Sequence, residues 1–211
     1  FGASAVLALE AYVHRWVHTY QRCVDRFLAP SQFVRDKFVD AGWDASKFAV
    51  LSHFQKPPVQ MADYPGPNAP VLYFGRLSHE KGLRDVISAA ARLRHVEFVI
   101  AGDGPQSSEL QSLQQALRLN NLRFTGQLSG AALEQLIAQS QFTLFPSHAY
   151  ETFGKSILES FAHGRAVIAS DLGSRRALVT DGETGLLYRV GDVDQLVEAI
   201  EGLRCDPELA R

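Results

Sequence analysis

The chain has 211 residues, of which 46% are hydrophobic and 21% are charged, and its 21 basic and 23 acidic side chains leave a formal net charge of −2. These values are typical of a globular protein that buries a full core. They lack the surplus of Lys and Arg on which binding to a phosphate backbone depends, so we expect no nucleic-acid partner.

The N-terminal stretch from Val6 to Val24 has apolar residues at helical spacing, with basic and histidine side chains around them. This pattern predicts an amphipathic helix that either packs against the protein or makes peripheral contact with a membrane surface. No run of the sequence reaches the roughly 18 apolar residues of a membrane-spanning helix. The first residue is Phe1 and the only methionine is Met61, so we expect the chain to be a piece of a longer protein.

A less regular region follows this helix. A short run over Arg26–Ala29 precedes a helix that we expect Ser31 to cap and Gly42 to end, and Phe48–Leu51 forms another short run. The proline-dense segment Lys56–Pro70 continues neither helix nor sheet. We therefore expect a remnant of an N-terminal domain in residues 1–54, a connector in residues 55–68, and a second domain, truncated at its C-terminal end, in residues 69–211.

From residue 69 onward, short β-rich runs alternate with helical stretches. The β-rich runs are Val71–Phe74, Val96–Ala101, Leu122–Thr125, Phe142–Phe145, Ala166–Ala169 and Gly185–Tyr188. The helical stretches are Leu83–Leu93, Ser107–Leu119, Ala131–Ala138, Lys155–His163, Arg175–Val179 and Val193–Leu203, and Cys205–Arg211 has the pattern of a further helix start. Strict alternation with short connections predicts an α/β fold with a doubly wound, mostly parallel, Rossmann-like sheet.

The two cysteines, Cys23 and Cys205, fit neither a disulfide framework nor the spacing of zinc ligands. They are interpreted as free thiols in a reducing compartment, which predicts a cytoplasmic location. If the N-terminal helix binds lipid, the inner face of the membrane is the expected place.

Two junctions between a strand and a helix carry charged residues. Arg76 and Lys81 follow the first run of the sheet and form a candidate anion site, although a solvated polar loop would look the same. Glu151 lies in a later loop, and Glu159 lies in the helix that begins near Gly154. Because such junctions share one crevice in an open α/β sheet, a ligand with a diphosphate at one end and hydroxyls at the other would use both.

Other motifs are weaker. Gly102-Asp-Gly-Pro105 resembles the opening of a dinucleotide fingerprint, but Ser107 takes the place of the third glycine, so a nicotinamide or flavin cofactor is not expected. Asp192-Val-Asp194 directly precedes a helical pattern, which favours helix capping over binding of a metal. His148 and His53 lie near candidate site loops, where either is a catalytic base or makes an ordinary polar contact.

Six stretches, taken in order, carry a family resemblance. They are Gly75–Gly82, Ala101–Pro105, Phe124–Gly126, Tyr150–Glu159, Ala169–Gly173 and Asp181–Leu187. Together they resemble the nucleotide-sugar-binding half of the family 4 retaining glycosyltransferases, over about residues 26–205. Such enzymes have the two-domain GT-B architecture and bind the donor mainly on the C-terminal domain. The resemblance implies a nucleotide-diphosphate sugar as donor, no metal cofactor, and an acceptor glycan, lipid or small molecule.

The resemblance also implies roles for individual residues. Arg76 and Lys81 would clamp the donor diphosphate and neutralise the leaving group, and Glu151 would contact hydroxyls of the transferred sugar. Glu159 would hold the ribose hydroxyls. The remaining implied contacts are Gly75, Thr152, Phe153, Gly154 and Lys155 at the sugar and phosphates, and Gly126, Gln127 and Leu128 beside the base.

Two departures from the family pattern limit these expectations. Arg175 and Arg176 stand in a loop where the family often has Pro-Glu, and their guanidinium groups either serve the donor or are solvated. In addition, most of the N-terminal domain that supplies the acceptor pocket is missing, so we expect the fragment alone to be inactive. A GT-B epimerase or phosphorylase relative and a non-catalytic nucleotide-sugar binding module remain alternatives.

Overall fold

The computed structural model describes residues 2–59 and 61–210. Within them the chain divides between His53 and Phe54 into two compact units. The division lies at the start of the proline-dense connector. Each unit is described by itself below.

The N-terminal unit begins with two helices, α1 (Gly2–Trp16) and α2 (Thr19–Cys23). The helix expected over residues 6–24 is therefore interrupted, because His18 takes a left-handed conformation with φ of 53°. The apolar side chains of α1 are exposed within this unit, including Trp16 at 82%. Neither helix, nor any other in the described part of the chain, combines the length and apolar character needed to cross a bilayer. Peripheral membrane contact stays a prediction.

The rest of this unit is a small parallel β pair with one helix. Strands β1 (Phe27–Ala29) and β2 (Phe48–Val50) pair in parallel, and α3 (Gln32–Asp40) connects them. The Ser31 hydroxyl accepts a hydrogen bond from the Val34 amide at 3.2 Å, which confirms the predicted cap. Phe27, Phe48 and Trp43 pack around this pair, with ring centroids 5.0 to 6.2 Å apart.

The C-terminal unit is built on a six-stranded parallel sheet in the order β5-β4-β3-β6-β7-β8. The strands are β3 (Val71–Phe74), β4 (Phe98–Ala101), β5 (Leu122–Gly126), β6 (Thr143–Phe145), β7 (Val167–Ser170) and β8 (Gly185–Tyr188). The helices are α4 (Leu83–Arg92), α5 (Ser107–Ala116), α6 (Ala131–Ala138), α7 (Lys155–Ala162), α8 (Arg175–Leu178) and α9 (Val193–Cys205). This arrangement confirms the predicted doubly wound fold.

Both faces of the sheet are buried, which explains why its strands are continuous apolar runs. On one face, Val71, Tyr73 and their neighbours on adjacent strands pack against α4 and α9. On the other face, Leu72 and Phe74 pack against α6, and β6 and β7 pack against Ile157 of α7.

The C-terminal end differs from the expected helix start. Cys205 is the last residue of α9, and a turn follows in which the Ala210 amide donates to the Asp206 carbonyl at 3.1 Å. The Asp206 carboxylate accepts hydrogen bonds from the amides of Glu208 and Leu209 at 3.1 Å each, which holds this turn closed.

Candidate functional site

The strand order reverses between β3 and β6, and the loops that follow these two strands meet at the carboxyl edge of the sheet. We call residues 75–82 the cationic loop and residues 146–154 the acidic loop. The His148 amide donates to the Glu80 carbonyl at 2.7 Å, and the Ser147 hydroxyl donates to the same carbonyl at 3.0 Å. In doubly wound sheets this reversal is where ligands bind.

A glycine allows the two loops to approach this closely. Gly82 has φ of +69°, and a Cβ at this position would lie 2.0 Å from the Pro146 carbonyl oxygen. A side chain is therefore excluded both by the left-handed backbone and by the neighbouring loop. The close approach brings Lys81, which precedes this glycine, next to the acidic loop.

Lys81 and Glu151 form a direct ion pair. The Lys81 Nζ lies 2.6 Å from Glu151 Oε1, and the Ser147 hydroxyl donates to the same oxygen at 2.9 Å. Their side chains are 24% and 21% exposed, so the pair is partly shielded from water. The structure thus brings together two residues to which the family resemblance assigns different parts of a ligand.

A cleft of about 570 Å³ opens beside this pair. Its lining includes five residues singled out from the sequence: Gly75, Arg76, Gln127, Leu128 and Glu159. A smaller adjoining pocket of about 50 Å³ is lined by Lys81, Ser147 and others, and it shares Gly75 and Arg76 with the larger cleft. The predicted cations and Glu159 therefore border one connected space.

The other predicted contacts lie around this space. Gly126 ends β5, and of the described acidic-loop residues Thr152 is exposed, Phe153 is buried and Gly154 precedes α7 with φ of +115°. These residues are outside the lining of the two pockets within the described chain. Lys155 also lies outside this lining. Its side chain is 73% exposed, and its Nζ lies 3.7 Å from Glu159 Oε1.

The cleft includes residues that the sequence did not single out as ligand contacts. Gly102, Asp103 and Gly104 border it after β4, and Leu133 and Ser156 border it from α6 and α7. A signal was present for Ser156, since it precedes Glu159 by three positions and so shares its helix face. The glycine-rich turn belongs to the family resemblance through Ala101–Pro105, but the sequence predicts no ligand contact for it.

Two polar groups near the cleft have shifted pKa values. Hydrogen bonds from the Ser107 hydroxyl and the Gly104 amide lower the pKa of Asp103, so this carboxylate stays ionised in an exposed position. Burial, with the charges of Glu151 and Glu80, raises the pKa of Tyr73. Tyr73 therefore keeps its proton and donates it to the Arg76 carbonyl at 2.9 Å, which holds the cationic loop at this point.

Arg175 and Arg176, which stand where the family often has Pro-Glu, have different surroundings. Arg176 is exposed and forms a two-pronged contact with the carboxylate of Asp171. Arg175 is fully buried and donates from Nη1 to the Ala149 carbonyl at 3.2 Å. The expectation that both groups are either solvated or at the donor therefore needs correction for Arg175, which is buried. Arg176 agrees with the solvated alternative, since its side chain is 67% exposed.

The weaker motifs have structural explanations. Asp192 caps α9 by accepting a hydrogen bond from the Gln195 amide at 3.0 Å, as predicted. His148 Nε2 lies 2.5 Å from Asp85 Oδ2, which anchors it to α4, and His53 ends the N-terminal unit. Among the described residues, no group of three His, Cys, Asp or Glu side chains is arranged to hold a metal ion.

Comparison with known proteins decides the family. Residues 69–206 match the family model described as Glycosyl transferases group 1. The chain belongs to this family. Its curated relatives include an alpha-D-kanosaminyltransferase from Streptomyces kanamyceticus, 37% identical over 66% of this chain and 37% of that protein. They also include a glycogen synthase from Mycobacterium tuberculosis, 36% identical over 68% of this chain and 36% of that protein.

This group 1 glycosyltransferase chain is also similar to a solved structure. The Anabaena protein HepE in complex with UDP-glucose is 25% identical, with a TM-score of 0.79 over 91% of this chain and 60% of that one. The chain therefore spans 36% to 60% of the length of these three proteins. The fold at the candidate site is that of known glycosyltransferases.

Proposed function

We propose that this chain is the C-terminal, donor-binding domain of a retaining GT-B glycosyltransferase of family 4, and that its donor is a nucleotide-diphosphate sugar. The ordered motifs and the match over residues 69–206 support this proposal. So does the relative that was solved in complex with UDP-glucose. The observation that carries it is the placement of Arg76, Lys81 and Glu159 around one connected space.

The chemistry of that space fits a donor of this class. Arg76 borders both pockets, where a guanidinium can bind a diphosphate through two parallel hydrogen bonds. Glu159 borders the larger cleft at 23% side-chain exposure and can accept hydrogen bonds from vicinal ribose hydroxyls. The base would lie beside Gln127 and Leu128.

The cations also have a role in bond cleavage. Breaking the bond between sugar and diphosphate builds negative charge on the diphosphate, and fixed positive groups stabilise that charge as it develops. Lys81 would reach the diphosphate by leaving Glu151, whose carboxylate would then be available to hydroxyls of the sugar. Arg76 and Lys81 are thus proposed as catalytic residues together with Glu151, and no metal is assigned a role.

Further properties belong to the same proposal. Retention of configuration follows from the family resemblance alone. The acceptor would be a glycan, a lipid or a small molecule, bound with the help of an N-terminal domain of the same protein. The cytoplasmic location, with contact at the inner face of the membrane, is proposed from the free cysteines and the exposed apolar side chains of α1.

Calorimetric titration with UDP-, GDP- and ADP-glucose tests the donor assignment. One of the three should bind, and Arg76→Ala should lower that affinity roughly 10- to 100-fold, as expected for lost charge-assisted hydrogen bonds. Arg189→Ala is the matched control, because Arg189 is 77% exposed and its guanidinium lies 3.7 Å from Asp192. Equal affinities of the Arg76 variant and the control would refute the diphosphate site.

A further inference from the structure

Arg175 is the largest side chain that is fully buried in the described chain. It lies at the start of α8, directly after β7 and its loop. Its guanidinium stands over the Phe145 ring, 5.6 Å from the ring centroid. Arginine is almost never fully buried unless its charge is compensated, because removing a charge from water is strongly unfavourable. The position of this side chain therefore requires a reason.

Two adjacent side chains hold the backbone of the acidic loop: Ser174, directly before α8, and Arg175, its first residue. Arg175 donates to the Ala149 carbonyl at 3.2 Å. The hydroxyl of Ser174 contacts the carbonyl oxygens of Glu151 at 3.0 Å and Phe153 at 2.8 Å. Three alternate carbonyls of the loop are thus bound by these two residues. The loop on both sides of Glu151 is tied to α8 while the Glu151 side chain contacts Lys81.

The guanidinium has donors to spare. Within the residues that the structure describes, its Nε and Nη2 atoms are buried without a hydrogen-bond partner. Burial lowers the pKa of Arg175, and the negative charges of Glu151 and Asp171 oppose that shift, with Glu151 the larger of the two. Arg175 therefore brings a buried guanidinium against the acidic loop and donates a hydrogen bond to its backbone.

We propose that Arg175 is a positioning residue for Glu151: together with Ser174 it ties the acidic loop to the start of α8, and this tether keeps the Glu151 carboxylate in place once Lys81 turns to the diphosphate. The proposal rests on the proposed function, which assigns Lys81 to the diphosphate and Glu151 to the sugar. When Lys81 leaves, the carboxylate loses its only ion-pair partner among the described residues, so its position then depends on the loop that carries it.

This role differs from that of a residue that only supports the fold. Loss of a purely structural contact would weaken the binding of nucleoside diphosphate and of sugar nucleotide by the same factor. Loss of the proposed positioning affects the sugar, because Glu151 is the group that contacts its hydroxyls. The ratio of the two dissociation constants, diphosphate over sugar nucleotide, separates the two cases.

The test compares Arg175→Met, Arg175→Lys and Ser174→Ala with the matched control Arg176→Gln, whose side chain is exposed and bound to Asp171. Titrations use UDP, GDP and ADP and the corresponding glucose nucleotides. In Arg175→Met, the affinity for the diphosphate should stay within about twofold of the unaltered chain. The additional affinity that the sugar gives to the sugar nucleotide should fall about five- to tenfold. Arg175→Lys, which keeps a charged donor, should recover part of that affinity.

A second measurement needs no ligand. Amide hydrogen exchange of residues 149–153 should be about tenfold faster in Arg175→Met and in Ser174→Ala, and unchanged in Arg176→Gln. If Arg175→Met does not fold, Arg175→Lys and Ser174→Ala carry both measurements.

The outcomes distinguish the two proposals. If the unaltered chain binds none of the nucleotides, the donor assignment fails, and the exchange rates alone decide whether Arg175 and Ser174 hold the loop. If it binds, but Arg175→Met weakens the diphosphate and the sugar nucleotide equally, Arg175 is only structural and the positioning role is overturned. Unchanged exchange in the acidic loop would overturn it as well.

Discussion

The Nζ atom of Lys81 lies 2.6 Å from Oε1 of Glu151, although the two residues are 70 positions apart in the chain. They meet because β3 and β6 are neighbours in the sheet and the loops after these strands are joined by hydrogen bonds. The ion pair links the two charged loops of the candidate site. The interaction energy of this ion pair therefore measures how strongly the two loops are held together before any ligand binds.

Breaking this pair should destabilise the protein measurably. We expect Glu151→Gln to lower the free energy of unfolding by about 1–2 kcal/mol, between the values for exposed and buried pairs. A double-mutant cycle with Lys81→Met, followed by urea unfolding, isolates the pairwise energy. The exposed pair of Arg92 and Asp194, also 2.6 Å apart, is the control and should give at most about 0.5 kcal/mol. Equal coupling energies would contradict the shielding argued for the site.

The close contact of the two loops at Gly82 gives a second prediction. Gly82→Ala should cost about 2–4 kcal/mol of unfolding free energy, because it combines a left-handed backbone with a collision against the Pro146 carbonyl. Gly182→Ala is the control: its φ is +78°, and a Cβ there meets nothing within 4 Å. Only the backbone term, about 1 kcal/mol, is expected for it. Thermal or urea unfolding of both variants compares the two terms directly.

Much of the fold could be predicted from the sequence because its signals are local and repeated. The apolar runs alternate with helical stretches, and three of the expected elements, Val71–Phe74, Ala131–Ala138 and Gly185–Tyr188, have the bounds found in the structure. The parallel pairing of the strands follows from the same alternation, since parallel strands need crossover connections. The interruption at His18 was not predictable, because neither glycine nor proline marks it.

The site was predictable in its location and less so in its contacts. Parallel strands bring their carboxyl ends to one edge, so the loops with Arg76 and Glu151 were expected to meet. The direct pairing of Lys81 with Glu151 depends on the tertiary approach of two loops, which no local pattern specifies. Arg175 was misjudged for a similar reason: an arginine in a short helix is ordinarily exposed, and only the surrounding loop buries it.

The turn after β4 gives a prediction about charge. Asp103 has a lowered pKa chiefly because the Ser107 hydroxyl donates to it, so Ser107→Ala should raise that pKa toward the ordinary value of 3.8. A carboxylate with a lowered folded-state pKa stabilises the protein above its unfolded-state pKa and loses that effect as pH falls through the folded-state value. As pH falls, Ser107→Ala should therefore lose the stabilisation from the Asp103 carboxylate at a higher pH than the unaltered chain does.

Carboxyl-carbon NMR titration measures the Asp103 pKa directly. Ser108→Ala serves as the control, because Ser108 is an exposed neighbour on the same helix. A titration midpoint for Asp103 that is the same in both variants would show that the hydroxyl does not hold the carboxylate.

Glu159, which borders the cleft, and Glu151, which pairs with Lys81, should respond differently to the ligand. Glu159→Ala should weaken the binding of nucleoside diphosphate and of sugar nucleotide alike, by roughly 10-fold, because its carboxylate is assigned to the ribose that both ligands contain. Glu151→Ala should weaken only the sugar nucleotide, because its carboxylate is assigned to the transferred sugar. Calorimetric titration with the diphosphate and its glucose derivative measures both effects in each variant.

The control for charge is Glu198→Ala, an exposed glutamate on α9. It separates a specific contact from the general effect of removing one negative charge, which would favour any anionic ligand slightly. Because Glu151 is bound to Lys81, removing its carboxylate also frees that ammonium group. The Glu151 variant should therefore bind the bare diphosphate at least as tightly as the unaltered chain does. A weaker affinity for the diphosphate in this variant would contradict the exchange of partners by Lys81.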